Sequence, residues 1–123
     1  MRGPRPPGAV TTTLVSRDEL AAEIAAGHVT VVDALPASYW AQQHLPGAVN
    51  LVTDDVERLA PTVLPDRTTA IVTHCSNAAC PDSQAVARRL EALGYTSVRT
   101  YRDGMQDWVE AGLRVESAPL VAR

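Results

Sequence analysis

Two cysteines, Cys75 and Cys80, stand in the run His74-Cys75-Ser76-Asn77-Ala78-Ala79-Cys80-Pro81-Asp82-Ser83, and they are the residues best suited to chemistry. A thiol reacts as its thiolate, a form that makes up only a few per cent of a free cysteine at pH 7; a cationic or amide-rich setting lowers the pKa from about 8.5 to roughly 3.5 to 7.5. Two readings fit Cys75: a reactive thiol in a strand-to-helix loop, or a small buried hydrophobe that closes a strand. Two also fit Cys80: a resolving thiol that attacks an oxidised Cys75 and closes a disulfide, or simply the residue that begins the next helix.

His74 adjoins Cys75, but neighbouring strand residues point to opposite faces, so a buried structural histidine is the favoured reading. His74, Cys75 and Cys80 fall short of the four well-spaced ligands of a closed zinc site; no metal is expected. Asp33 and His44 could polarise the site or hold loops through hydrogen bonds. Arg102 either approaches an anion near Cys75 or is an exposed surface residue. Trp40 and Trp108 are expected to pack in the core or at its rim.

The elements that must carry these residues follow from the apolar pattern. Thr11 to Val15 reads as a short strand, and Ser16-Arg17-Asp18-Glu19 has the form of a capping box, with Val15 and Leu20 placed as a hydrophobic staple. The helix so opened carries Leu20, Ala21, Ile24 and Ala25 on one face and stops at Gly27. Val29 to Ala34, Ala48 to Leu51, Ala70 to His74 and Ser97 to Tyr101 read as strands, the first of them β-branched and suited to burial on both faces. Helices are expected from about Ser38 to His44, Asp54 to Leu59, Pro81 to Leu93 and Met105 to Ala111. Pro46-Gly47 marks a turn, and Pro61 and Pro65 punctuate the connection after the third helix.

Strands that alternate with helices at this spacing imply a mostly parallel sheet covered on both faces, an arrangement whose ligands bind beyond the carboxyl ends of the strands. The loop after Ala70 to His74 is such a place, and it begins with Cys75. A sulfur there lies near backbone N–H groups and a helix N-terminus, both of which stabilise an anion.

The chain has 123 residues, enough for one domain, with 46% apolar and 20% charged residues, an ordinary globular composition. Residues 1–10, rich in proline and glycine, read as a disordered leader; 11–118 form the domain and 119–123 a tail. A formal net charge of -3 offers no footprint for nucleic acid. No apolar run reaches the roughly 18 residues of a membrane span. All eleven basic residues are arginine, which biased codon usage explains more simply than tuning for anions. Two closely spaced cysteines do not make a secreted disulfide framework, so a reducing cytoplasm is expected.

Three separated segments resemble the rhodanese family. Val31-Val32-Asp33, followed by Tyr39 and by His44-Leu45-Pro46-Gly47-Ala48-Val49-Asn50-Leu51, is similar to its first signature. Cys75 with Ser83, Ala87, Leu90 and Gly94 is similar to its active-site loop and helix. Tyr101-Arg102-Asp103-Gly104 through Asp107-Trp108 and Ala111-Gly112 is similar to its closing run, and the likeness extends from about Leu14 to Glu116, in family order.

The resemblance implies a three-layer α/β/α domain with a mostly parallel central sheet of about five strands. It also implies a sulfurtransferase or sulfur carrier that moves a sulfane sulfur through a Cys75 persulfide, with the backbone of Ser76, Asn77, Ala78, Ala79 and Cys80 as an anion cradle. Expected partners are a small-molecule sulfur donor such as thiosulfate and a thiol, cyanide or protein acceptor, with no cofactor; the chain is expected to be a monomer or weak dimer. The alternatives are a binding or regulatory module without turnover and a Cys75/Cys80 redox switch. Leu35 replaces the family's arginine two residues after Asp33, and the loop has Asp82 but no Arg or Lys, which weakens the case for dianionic thiosulfate. Pro81 stands where phosphatase relatives need the arginine of Cys-x5-Arg, which argues against phosphoryl chemistry.

Overall fold

The computed structural model describes residues 13–118, so the expected leader, the tail and the first two residues of the first expected strand lie outside the described residues. Five strands form one sheet: β1 (Thr13–Leu14), β2 (Thr30–Asp33), β3 (Val49–Asn50), β4 (Ile71–His74) and β5 (Val98–Tyr101). Their spatial order is β1-β5-β4-β2-β3, and every pairing is parallel. The α/β class and the near-continuous apolarity of the central strands are thus explained together, because β4 has neighbours on both edges and is buried along its whole length.

The helices are α1 (Arg17–Ala26), α2 (Ala37–Gln42), α3 (Val56–Val63), α4 (Asp82–Ala92) and α5 (Gly104–Glu110). Ser16 caps α1 with the complete reciprocal box to Glu19, and Gly27 closes it in the left-handed conformation. The period-two alternation of the strands divides the core into two. Val31, Val72 and Tyr101 pack with Leu20 of α1 and with Met105 and Trp108 of α5. Val32, Ile71 and Val98 pack on the opposite face with Val56 and Ala60 of α3 and Val86, Ala87 and Leu90 of α4.

Three expected boundaries change. The second helix ends at Gln42, before His44, whose backbone turns away to pair with Glu116. The third is preceded by a 3-10 turn at Thr53–Asp55 and runs through Pro61 to Val63. Pro61 is tolerated there because it is exposed and the carbonyl it leaves unpaired, on Glu57, lies on the same solvent side. Pro81 sits at the N-cap of α4 rather than inside its first turn. No helix among the described residues is long and apolar enough to cross a membrane.

Candidate active site

The strand order sets the location of the site. From β4 the chain crosses through α4 to β5 on one side, whereas from β2 it moves to β3 on the other, so the connection reverses between the adjacent strands β2 and β4. The carboxyl ends at such a reversal diverge and leave a crevice between them. Leu35 follows β2 there, and Cys75 follows β4. A cavity of about 460 Å³ opens at this edge, lined by Leu35, Tyr39, Gln42, Gln43, Ser76, Asn77, Met105 and Gln106. Its polar groups are amides and hydroxyls; the lining includes no carboxylate, arginine, lysine or histidine.

Cys75 is fully buried, and its sulfur is joined to that of Cys80 in a disulfide, with the two Cα atoms 6.2 Å apart. Of the two readings of Cys80, a resolving thiol or the start of the next helix, the structure has the sulfur–sulfur pairing that the first describes. The local cause is Asn77. Its side-chain oxygen accepts the N–H of Ala79 at 2.9 Å and its carbonyl accepts the N–H of Cys80 at 3.1 Å, folding the loop back on its own start. The amides of Ala79 and Cys80 are thus engaged inside the loop, whereas those of Ser76, Asn77 and Ala78 make no backbone hydrogen bond within it. Asp82 stands close by, one carboxylate oxygen and the two sulfurs all lying within 4.8 Å of one another.

The base of the loop is held by α5. The N–H groups of Met105 and Gln106 donate to the carbonyls of Cys75 and Ser76 at 2.9 and 2.8 Å. Gly104 makes that approach feasible. Its φ is +72°, and a Cβ there would lie 2.6 Å from the Cys75 carbonyl oxygen and 2.9 Å from the Ser76 carbonyl carbon.

Asp33 and His74, opposite one another in the β2–β4 register, are both fully buried beneath the loop. One carboxylate oxygen of Asp33 accepts the N–H of Leu35 at 2.8 Å, and the side chain of Asn50 donates to the carbonyls of Asp33 and Leu35. The loop-holding reading of Asp33 thus has its hydrogen bonds. His74 Nδ1 lies 3.1 Å from the Cys75 carbonyl, which fixes it as the protonated nitrogen. The other two atoms of the pair, Asp33 Oδ2 and His74 Nε2, face each other at 3.7 Å with no hydrogen-bond partner among the described residues. Burial pushes the Asp33 carboxyl up, with His74 opposing, and pushes the His74 imidazole down, with Asp33 opposing.

His44 stacks on Trp40 with ring centroids 4.5 Å apart, and its Nδ1 lies 2.6 Å from the Trp40 carbonyl. Its backbone exchanges two 2.8 Å bonds with Glu116, whose carboxylate also accepts the N–H of Gly47 at 2.8 Å. Ala118 donates to the Ala41 carbonyl. His44 therefore supports the wall that carries Gln42 and Gln43, at one remove from the sulfurs. Arg102 is exposed and does not line the cavity. Tyr101, by contrast, donates to the carboxylate of Asp107, which pairs with Arg17 at 3.1 Å; burial and then this bond hold the phenol well above its ordinary pKa.

The cavity-lining residues Leu35, Tyr39, Gln42, Gln43, Met105 and Gln106 were not singled out by sequence reasoning as site residues. Their signal is position, each following the carboxyl end of β2 or β5 next to the loop that bears Cys75, together with the family-like stretch that holds Tyr39 and the departure from it at Leu35.

Comparison with known proteins agrees with this geometry. The HTH-type transcriptional regulator Rv0324 of Mycobacterium tuberculosis is 37% identical over 111 residues, covering 86% of this chain and 46% of that protein, so the chain spans under half of that relative's length. Among solved structures, the BH2092 protein from Bacillus halodurans has a TM-score of 0.78 at 22% identity, covering 91% of this chain and 85% of that one. The human single-domain sulfurtransferase TSTD1 has a TM-score of 0.69 at 24% identity, covering 81% of this chain and 97% of that one. Both share its fold. The sequence profile of the rhodanese-like domain matches residues 16–111, from the cap of α1 to the end of α5, and the chain belongs to that family.

Proposed function

We propose that the domain is a sulfurtransferase or sulfur carrier that takes a sulfane sulfur onto Cys75 as a persulfide and hands it to a thiol. The carrying observation is the position of Cys75: at the carboxyl end of the central strand, at the topological reversal, with its carbonyl pinned by α5. In the first step the Cys75 thiolate attacks the outer sulfur of a donor R–S–SH; the donor S–S bond breaks, R–S⁻ leaves and is protonated, and Cys75 holds –S–SH. An acceptor thiolate then attacks that outer sulfur and releases the Cys75 thiolate. Oxidation state and atom count balance without a metal or cofactor.

The donor is an organic persulfide or a polysulfide in preference to thiosulfate. A dianion gains nothing from a cavity without a cation and is repelled by Asp82 beside the sulfurs. A reducing compartment such as the cytoplasm supplies both the free thiol form and thiol acceptors. A second reading, a thiol redox switch, is favoured by the Cys75–Cys80 disulfide and suits the regulator name of the Mycobacterium relative.

Intact-mass measurement on reduced protein tests the proposal. Cys80→Ser treated with polysulfide gains one sulfur atom, and Cys75→Ser gains none. Cyanide then removes that sulfur as thiocyanate. No gain in Cys80→Ser from polysulfide, glutathione persulfide, mercaptopyruvate or thiosulfate would leave the redox switch as the function.

A further inference from the structure

We infer that Cys80 is the built-in resolving thiol for the persulfide on Cys75: it attacks the inner sulfur, expels hydrosulfide and closes the Cys75–Cys80 disulfide. The inference rests on the Cys75 persulfide reading and goes further by naming the resolving group, the product and the class of reaction that must follow. The loop between the cysteines is folded back by Asn77 until the Cα atoms stand 6.2 Å apart, inside the range that a disulfide spans without backbone movement. A resolving thiol held there competes with any dissolved acceptor at a large effective concentration.

The step balances. The Cys80 thiolate attacks Cys75 Sγ, the inner sulfur of the persulfide; the Cys75 S–SH bond breaks, HS⁻ leaves, and the Sγ–Sγ bond forms. The outer sulfur is reduced to sulfide, and the two cysteines supply the two electrons. Attack on the outer sulfur instead would only move the persulfide to Cys80. The amides of Ser76, Asn77 and Ala78, free of partners within the loop, are the groups left to support the developing negative charge on sulfur.

The disulfide so formed is the state seen here, and its burial is uneven. Cys75 is fully buried, whereas Cys80 retains partial exposure. A small external thiolate therefore meets Cys80 Sγ first, makes a mixed disulfide there and frees Cys75 as thiolate, the form needed for the next donor. A second thiol then releases Cys80. The reaction that must follow each turnover is reduction by a thiol or dithiol, and the net result is conversion of sulfane sulfur into hydrosulfide.

The test uses the reduced full chain under anaerobic conditions, with a glutathione persulfide whose outer sulfur is isotopically labelled. Wild type is expected to release one labelled hydrosulfide, trapped by an alkylating agent, for each Cys75–Cys80 disulfide found by peptide mapping. Cys80→Ser and Cys80→Ala are expected to retain the label on Cys75 at least roughly tenfold longer and to release no excess sulfide. Equal persulfide lifetimes in wild type and the Cys80 variants would overturn the inference while leaving the Cys75 persulfide intact. Disulfide formation without labelled sulfide would overturn it in favour of direct oxidation. Failure of the Cys80 variants to take up label at all would remove the underlying persulfide reading and this inference with it.

Discussion

At the scale of single residues, charge beside the sulfurs decides which donors can approach. Asp82 is half-buried with an oxygen within 4.8 Å of both sulfurs, and two like charges at about 5 Å in an effective dielectric near 20 repel by about 3 kcal/mol. Solvent screens much of that. Asp82→Asn is expected to raise kcat/KM for thiosulfate by about three- to tenfold, close to 1 kcal/mol of barrier, while changing glutathione persulfide less; steady-state thiocyanate formation with each donor measures the ratio. Equal gains with both donors would mean that the carboxylate acts on Cys75 itself. The types and order of these residues were legible in the sequence. The sulfur–sulfur bond was legible only as an option, because a spacing of five does not fix a loop's bend, and the bend here comes from two bonds made by Asn77.

At the scale of elements, the site is an agreement among three strand ends and the helix that follows the last of them. The apolar runs place β2, β4 and β5, and ligands of such sheets bind beyond the carboxyl ends of the strands, which is why a site beside Cys75 could be anticipated from the chain alone. The contact of α5 with the loop could not, since it joins residues some thirty positions apart. Gly104 marks that contact. Gly104→Ala combines a left-handed backbone with a Cβ 2.6 Å from a carbonyl oxygen and is expected to cost about 1 to 3 kcal/mol. Denaturant unfolding reads the loss, and slower persulfide formation on Cys75 reads the displaced loop; an unchanged midpoint would show that α5 can shift at no cost. Pro61 teaches the converse lesson. Its position suggested a break, yet the helix continues because the lost hydrogen bond falls on the solvent side.

At the scale of the whole molecule, the buried Asp33–His74 pair ties stability to pH. The folded state holds His74 neutral, whereas the unfolded chain takes up a proton near pH 6.5, so the unfolded state binds more protons below that value and stability falls as the solution is acidified. Asp33, raised by burial, opposes this: it takes up a proton in the folded state before it would in the unfolded chain, and its charge favours the imidazolium. Asp33→Asn is therefore expected to steepen the loss of stability between pH 7 and 5, by up to about 1.4 kcal/mol per pH unit, and His74→Gln to flatten it. Chemical denaturation across that range distinguishes these from parallel curves, which would mean that the pair does not titrate there.

The Glu116 bridge bears on where this domain ends. The family profile matches as far as residue 111, but four backbone groups of the segment from Ala41 to Gly47 find their partners in Glu116 and Ala118. A protein shortened to residue 111 would leave those groups unpaired and loosen the wall formed by Gln42 and Gln43. Recombinant versions and domain fusions therefore need to carry the chain through Ala118, with any join made after it, if the crevice is to keep its shape.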